Sequence, residues 1–429
     1  MKLMLKGGRI INPGKNFDQI GDVLIENGKI KEIGVDLKPE DATIIEADGL
    51  VVTPGLIDMH VHLREPGQEA KEDFSSGSKA AAAGGYTRIA CMPNTKPVVD
   101  NAILVNGLKE RARQAAVVHI DIIGALTKNQ KGTELAEVGD MTQAGAVAFS
   151  DDGHYVQSSK VLLNGLDYLR TFDKRIISHA EETTLVEDGI MNEGYRSAML
   201  GMKGRPTVAE DIAVARDILL AEYADAKIHI AHISSKNAVE IVRQAKKRGV
   251  KVTAEVTPQH LTMTDDLVNA FNTSTKVNPP LRSKEHLTAM LEGLKDGTID
   301  AIVTDHSPHA YEEKDVEYNY APSGFPGLET AVGILLTDLY HEGKLDLPKI
   351  IEKMTYGPAQ TFDLNAGVLE VGAAADVTII DPNLNWTVDA EKFYTRGTHS
   401  PFVGRQLKGK AVMTIVDGKI VMKDGKIID

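Results

Sequence analysis

"PGLIDMHVHLRE", residues 54–65, sets a short apolar run ahead of two histidines one residue apart. In an extended strand alternate side chains share a face, so His60 and His62 would project together. Seven further runs share this apolar, β-branched texture: 86–92 (YTRIACM), 117–126 (VVHIDIIGAL), 146–152 (AVAFSDD), 175–180 (RIISHA), 227–233 (KIHIAHI), 251–257 (KVTAEVT) and 300–306 (DAIVTDH). Between most of them lie helical patterns such as NAILVNGLKERARQAA (101–116), TVAEDIAVARDILLAEYAD (207–225) and SKNAVEIVRQAKKRG (235–249). Near-continuous apolar strands alternating with helices imply a parallel sheet covered on both faces. Eight of them, with trailing helices at about 327–343 and 347–364, predict an α/β fold, a (β/α)8 barrel over residues 54–364. The competing doubly wound open sheet would usually bring a glycine-rich phosphate loop, and no such loop is present.

The chain ends differ from this middle. Residues 1–53 and 365–429 carry short alternating segments, with Asn-Gly and Asp-Gly hairpin signals in ENGKI (26–30) and VDGKI (416–420). They predict two pieces of one small β-sandwich domain.

Bulk composition excludes several function classes. The formal net charge is −13 and the densest basic run is KKRG at 246–249. This argues against nucleic acid or an anionic membrane surface as partner. A local arginine can still reverse the field inside one pocket. The single cysteine, Cys91, cannot form an internal disulfide. No apolar stretch approaches the ~20 residues needed to span a bilayer. The opening MKLMLKGGRI lacks the apolar core of a signal peptide. The expected location is the cytoplasm.

In a barrel, chemistry gathers where the strands end. The first strand ends in His60 and His62, the fourth in Asp151 and Asp152, the fifth in His179, the sixth in His232. The eighth ends in Asp305, with His306 and His309 just beyond. Thirteen histidines could supply one or two such coincidences by chance, hardly five. Alone, His119 or His229 reads as a packed or hydrogen-bonded strand histidine, and His154, His260, His286, His341 and His399 as loop, helix or tail residues. Four histidines with aspartates suit zinc or a similar divalent ion, and six donors exceed one tetrahedral site, so two metals are expected. Such a centre lowers the pKa of bound water and polarises a carbonyl, so that a hydroxide, here expected to bridge the metals, can attack an amide. Asp305 is the candidate general acid/base. Pattern alone leaves Asp151 and Asp152 open, because a one-residue slip exchanges the faces.

Taken in order, "PGLIDMHVHLREPG", "MPNTKPVVD", "FSDDG", "ISHAEE", "AHISS", "VTPQHL", "KVNPPLR" and "TDHSPHAYEEK" resemble the amidohydrolase superfamily, and more narrowly its class I dihydroorotases of pyrimidine biosynthesis. The resemblance implies one zinc on His60, His62 and Asp305, another on His179 and His232, and Asp152 bridging them. It implies substrate contacts at His62, Arg64, Asn94, Asn278 and His309, and the backbone around Ser323 and Gly324. It implies reversible cyclisation of N-carbamoyl-L-aspartate to L-dihydroorotate, with Arg64 offering a planar fork to the ring carboxylate. Many relatives, hydantoinases and allantoinases among them, bridge their metals with a carboxylated lysine, whereas SDDG has no lysine. VTPQHL carries Gln259 where a histidine pair is expected. The expected assembly is a homodimer, with aspartate transcarbamoylase as a further candidate partner.

Overall fold

The computed structural model describes residues 2–428. Eight strands occur where the apolar runs lie: Leu56–Val61, Tyr86–Cys91, His119–Ile122, Phe149–Ser150, Ile176–Ser178, Ile228–Ile230, Val252–Val256 and Ala301–Ile302. Each regular pairing between sequential neighbours is parallel. Two seams complete the circle. Gly124 bridges to Phe149, with Gly124 N donating to Ala148 O at 3.0 Å, and Val61 bridges to His306, with His62 N donating to His306 O at 2.8 Å. The sheet is therefore a closed eight-stranded barrel. Ile57, Met59, Ala90, Met92, Ile123, Ala148, Ile177 and Ala231, in the first six strands or one residue from their ends, pack into one buried cluster.

The intervening helices follow the amphipathic patterns: Ala102–Ala115, Val208–Ala224 and Lys236–Lys247. Two trailing helices differ from expectation. The pattern at 327–343 becomes a helix only at Ala331–Leu335 and passes into a π turn at Leu336–Tyr340. Gly327 instead lies against Thr304 at the end of the last strand. The pattern at 347–364 breaks at Thr355 (φ −132°, ψ −81°) into Leu347–Met354 and Tyr356–Thr361. There Gly357 approaches Asp300 O so closely that a Cβ would meet it at 2.2 Å.

Both chain ends build one nine-stranded sheet. Val377–Thr387 pairs antiparallel with Val51–Pro54, in the register Val377↔Pro54 to Ile380↔Val51, and Val51–Pro54 runs parallel to Lys2–Asn12. The two hairpin signals are turns with positive φ at both central residues, Asn27 and Gly28 (52° and 80°), Asp417 and Gly418 (48° and 74°), the geometry that Asn-Gly and Asp-Gly favour. The turns nest: a Cβ on Gly418 would sit 2.8 Å from Gly28 Cα. The sheet thus curls over a core shared by both ends, including Leu5, Val23, Ile25, Ile379 and Ile415. His119, expected as an ordinary strand histidine, lies with its Nε2 3.2 Å from Asp376 Oδ2, linking this sheet to the foot of the barrel.

Candidate metal centre and substrate pocket

His60, His62, Asp152, His179, His232 and Asp305 converge at one end of the barrel, all but Asp305 buried. His60 Nε2 and His62 Nε2 each lie 3.5 Å from Asp152 Oδ2. Asp305 Oδ1 is 3.2 Å from His62 Nε2 and 3.6 Å from His60 Nε2. On the other side, Asp152 Oδ1 lies 3.2 Å from His179 Nδ1 and 3.3 Å from His232 Nε2. One oxygen of Asp152 therefore faces each histidine pair. Asp151 turns away: its Oδ1 accepts from Leu126 N and Thr127 N, both at 3.0 Å, and its Oδ2 from Thr127 Oγ1.

These separations suit a metal. Ligand bonds of about 2.0–2.1 Å in a tetrahedron hold neighbouring donors about 3.3 Å apart. His60 Nε2 is buried without a hydrogen-bond partner, although it faces two carboxylates. An unpaired buried acceptor is costly, and a cation between these groups removes the cost. Within this cluster, two groupings have their donor atoms close enough to share one ion, His60–His62–Asp305 and His60–Asp152–His232.

Further groups aim these side chains. His60 Nδ1 donates to Glu255 Oε1 at 2.5 Å, and the other oxygen of Glu255 is 2.9 Å from His229 Nε2. His62 Nδ1 donates to Asn94 Oδ1 at 2.9 Å. Each bond fixes the tautomer that turns Nε2 toward the cluster. Asp58 ties the first strand to the last, its Oδ1 accepting from His60 N and its Oδ2 from Thr304 N. Burial pushes the Asp58 carboxyl up to about 7. Burial also opposes the Asp305 anion, yet its histidine neighbours hold Asp305 below the usual carboxylate range. Its φ of 51° and that of His232, 28°, are unusual for residues other than glycine and mark a backbone held in place by its surroundings.

Beside the cluster, Arg64 is buried, its Nε donating to Pro308 O (3.2 Å) and its Nη2 to Ser307 Oγ (2.8 Å). Among the described residues Nη1 makes no hydrogen bond. Burial pulls the guanidinium to about 10, still charged at neutral pH. His309 Nε2 donates to Ser323 O at 2.8 Å, and burial beside Arg64 pushes the ring down to about 3, so it stays neutral. Gly324 packs on Ser307, where a Cβ would meet the Ser307 side chain at 2.7 Å. Asn278 Nδ2 lies 3.0 Å from His179 Nε2, and Asn278 Oδ1 accepts from Arg205, which also pairs with Glu181 at 2.9 Å. The sequence-derived residues thus lie together at this end of the barrel. Gln259 and His260 stay outside it, His260 bonding to Thr257 and to Pro279 O.

Glu255, Glu181 and Arg205 were not anticipated. A charged residue inside the apolar run KVTAEVT was the available signal for Glu255, because a buried charge requires partners. Glu255→Gln should cost about 10–100-fold in metal affinity. Zinc titration of metal-stripped protein checks this, and unchanged affinity would remove Glu255 from the centre.

The Dihydro-orotase-like family profile matches residues 49–238 and the Amidohydrolase family profile residues 322–422. A dihydroorotase of Geotalea daltonii is 51% identical over 424 residues, covering 99% of this chain and 100% of that protein. A dihydroorotase of Syntrophus aciditrophicus is 50% identical over 426 residues, covering 99% and 100%. Among solved structures, an L-hydantoinase (dihydropyrimidinase) from Arthrobacter aurescens matches with a TM-score of 0.90 at 28% identity, covering 100% of this chain and 97% of that one. A dihydropyrimidinase from Brevibacillus agri matches with a TM-score of 0.86 at 25% identity, covering 100% and 96%.

Proposed function

The chain belongs to the dihydroorotase family of amidohydrolases, and from that premise we propose that it interconverts N-carbamoyl-L-aspartate and L-dihydroorotate as a class I, two-zinc enzyme. The observation that carries the assignment to these residues is the fixed Arg64 guanidinium beside the histidine–aspartate cluster. The absence of lysine at the end of the fourth strand, where Asp152 faces both histidine pairs, supports the class I reading.

His60, His62 and Asp305 would hold one ion and His179 and His232 the other, with Asp152 between them. When bound, the ions would make water a nucleophile near neutral pH and polarise the ring carbonyl. Arg64 and Asn94 would hold the ring carboxylate, Arg64 through Nη1 and Asn94 through the amide nitrogen left free by His62, while the neutral His309, whose Nδ1 can only accept, would face a ring N–H. Asn278 and the backbone at Ser323 and Gly324 would close the pocket around the ring. Asp305 Oδ1 is turned to the histidines, which leaves Oδ2 to take the proton from the attacking water. As the amide C–N bond breaks, that proton passes to the departing nitrogen. Ring closure runs the same transfers backward.

A substrate panel tests this reading. Dihydroorotate should turn over at least about a hundredfold faster than dihydrouracil, hydantoin or allantoin. Equal rates on an uncarboxylated ring would overturn it.

For the assembly we propose a homodimer. Helix Val208–Ala224 buries Ala209, Ala213, Val214, Ile218 and Ala221, yet also exposes Val208, Ile212, Leu219 and Tyr223. A helix apolar on two sides is expected to be covered on both. Size exclusion of the chain alone, and mixed with aspartate transcarbamoylase, checks the dimer and that further association. No helix of the described residues is long and apolar enough to cross a membrane, and we propose a cytoplasmic location.

A further inference from the structure

Two lysines behind the pocket are buried almost completely: Lys314 is 1% exposed and Lys276 is 7% exposed. Lys314 Nζ donates to Pro322 O at 2.8 Å and Gly324 O at 2.9 Å. Lys276 Nζ donates to Tyr318 O at 2.8 Å and Asn319 O at 2.9 Å, and Lys276 O accepts from Gly324 N at 2.8 Å. Among the described residues neither ammonium has a carboxylate partner. Burial pulls Lys314 to about 7 and Lys276 to about 8, each lowered further by a neighbouring cation. A buried ammonium without a counter-ion is expensive. What these two obtain in exchange is the backbone of one irregular segment, 318–324, whose carbonyls need partners.

That segment carries Ser323, whose carbonyl holds His309, and Gly324, which is packed on Ser307. Ser307 in turn accepts from Arg64. We propose that Lys276 and Lys314 are positioning residues for substrate binding, pinning segment 318–324 from beneath so that Ser307, His309 and Arg64 keep one arrangement. The inference rests on the reading that Arg64 receives the substrate carboxylate with His309 beside it. Both lysines act on the segment and touch neither the substrate nor the histidine–aspartate cluster, so their loss should appear in KM rather than kcat.

Lys314→Met and Lys276→Met, assayed as zinc-loaded full-length protein, should each raise KM for dihydroorotate at least tenfold with kcat within about threefold. Combined, they should cost less than the product of the single effects, because both hold the same segment. Chymotrypsin should cut after Tyr318, which is 5% exposed, faster in either variant than in the parent, and saturating dihydroorotate should slow the cut. If Lys314→Met does not fold, Lys276→Met decides alone. An unchanged KM in a folded variant, or a fall in kcat without a rise in KM, overturns the proposal. Arg64→Met separates the two levels. If it raises KM while the lysine variants do not, only the pinning fails; if Arg64→Met has no effect, the carboxylate reading fails first.

Discussion

Asp305→Asn should lower kcat for dihydroorotate by at least about a thousandfold while the protein keeps its fold. General acid–base catalysis alone is worth roughly 10²–10⁴-fold, and Asp305 also faces two histidines of the cluster. Asparagine is the cleaner replacement. Position 305 has a φ of 51°, a left-handed conformation that Asn tolerates better than Ala, so the backbone stays where it is. The amide keeps an oxygen for the cluster but cannot cycle a proton. Zinc content after dialysis separates the two consequences: a variant that retains metal and has lost turnover has lost proton transfer. A kcat within tenfold of the parent would remove Asp305 as the acid/base.

Much of this site was legible because of where barrel chemistry occurs. Histidines and aspartates ending apolar strands at 60, 62, 179, 232 and 305 interrupt a pattern that burial otherwise keeps apolar. The closure of both chain ends into one sheet was legible from two positive-φ turns, ENGKI and VDGKI. The choice between Asp151 and Asp152 was not. The fourth strand is regular only at Phe149–Ser150, so alternation stops constraining direction just where the aspartates begin. Glu255 became interpretable only when the first and seventh strands were seen to bring it to His60. Lys276 and Lys314 were beyond reach for a different reason. Their partners are backbone carbonyls of a loop, and no residue spacing encodes which carbonyls a folded loop presents.

The solved hydantoinase and dihydropyrimidinase structures share the whole fold with this chain, so the barrel alone cannot select the substrate. Arg64 is the residue expected to do so. It sits at a left-handed φ of 62°, and two bonds to Ser307 and Pro308 fix its plane before any ligand arrives. Preorganisation of this kind reduces the ordering cost of binding. Removing one partner of a buried charged pair costs about 2–5 kcal/mol, so Arg64→Met should lower kcat/KM for dihydroorotate by roughly 30- to 4,000-fold. Arg64→Lys should recover little of that, since lysine keeps the charge but lacks the planar fork. Dihydrouracil has no carboxylate, so its slow hydrolysis should change less than threefold in either variant. The decisive quantity is the ratio of the two kcat/KM values. A collapse of that ratio assigns substrate choice to Arg64, whereas equal losses on both rings would mean that the substitution had disturbed the catalytic cluster instead.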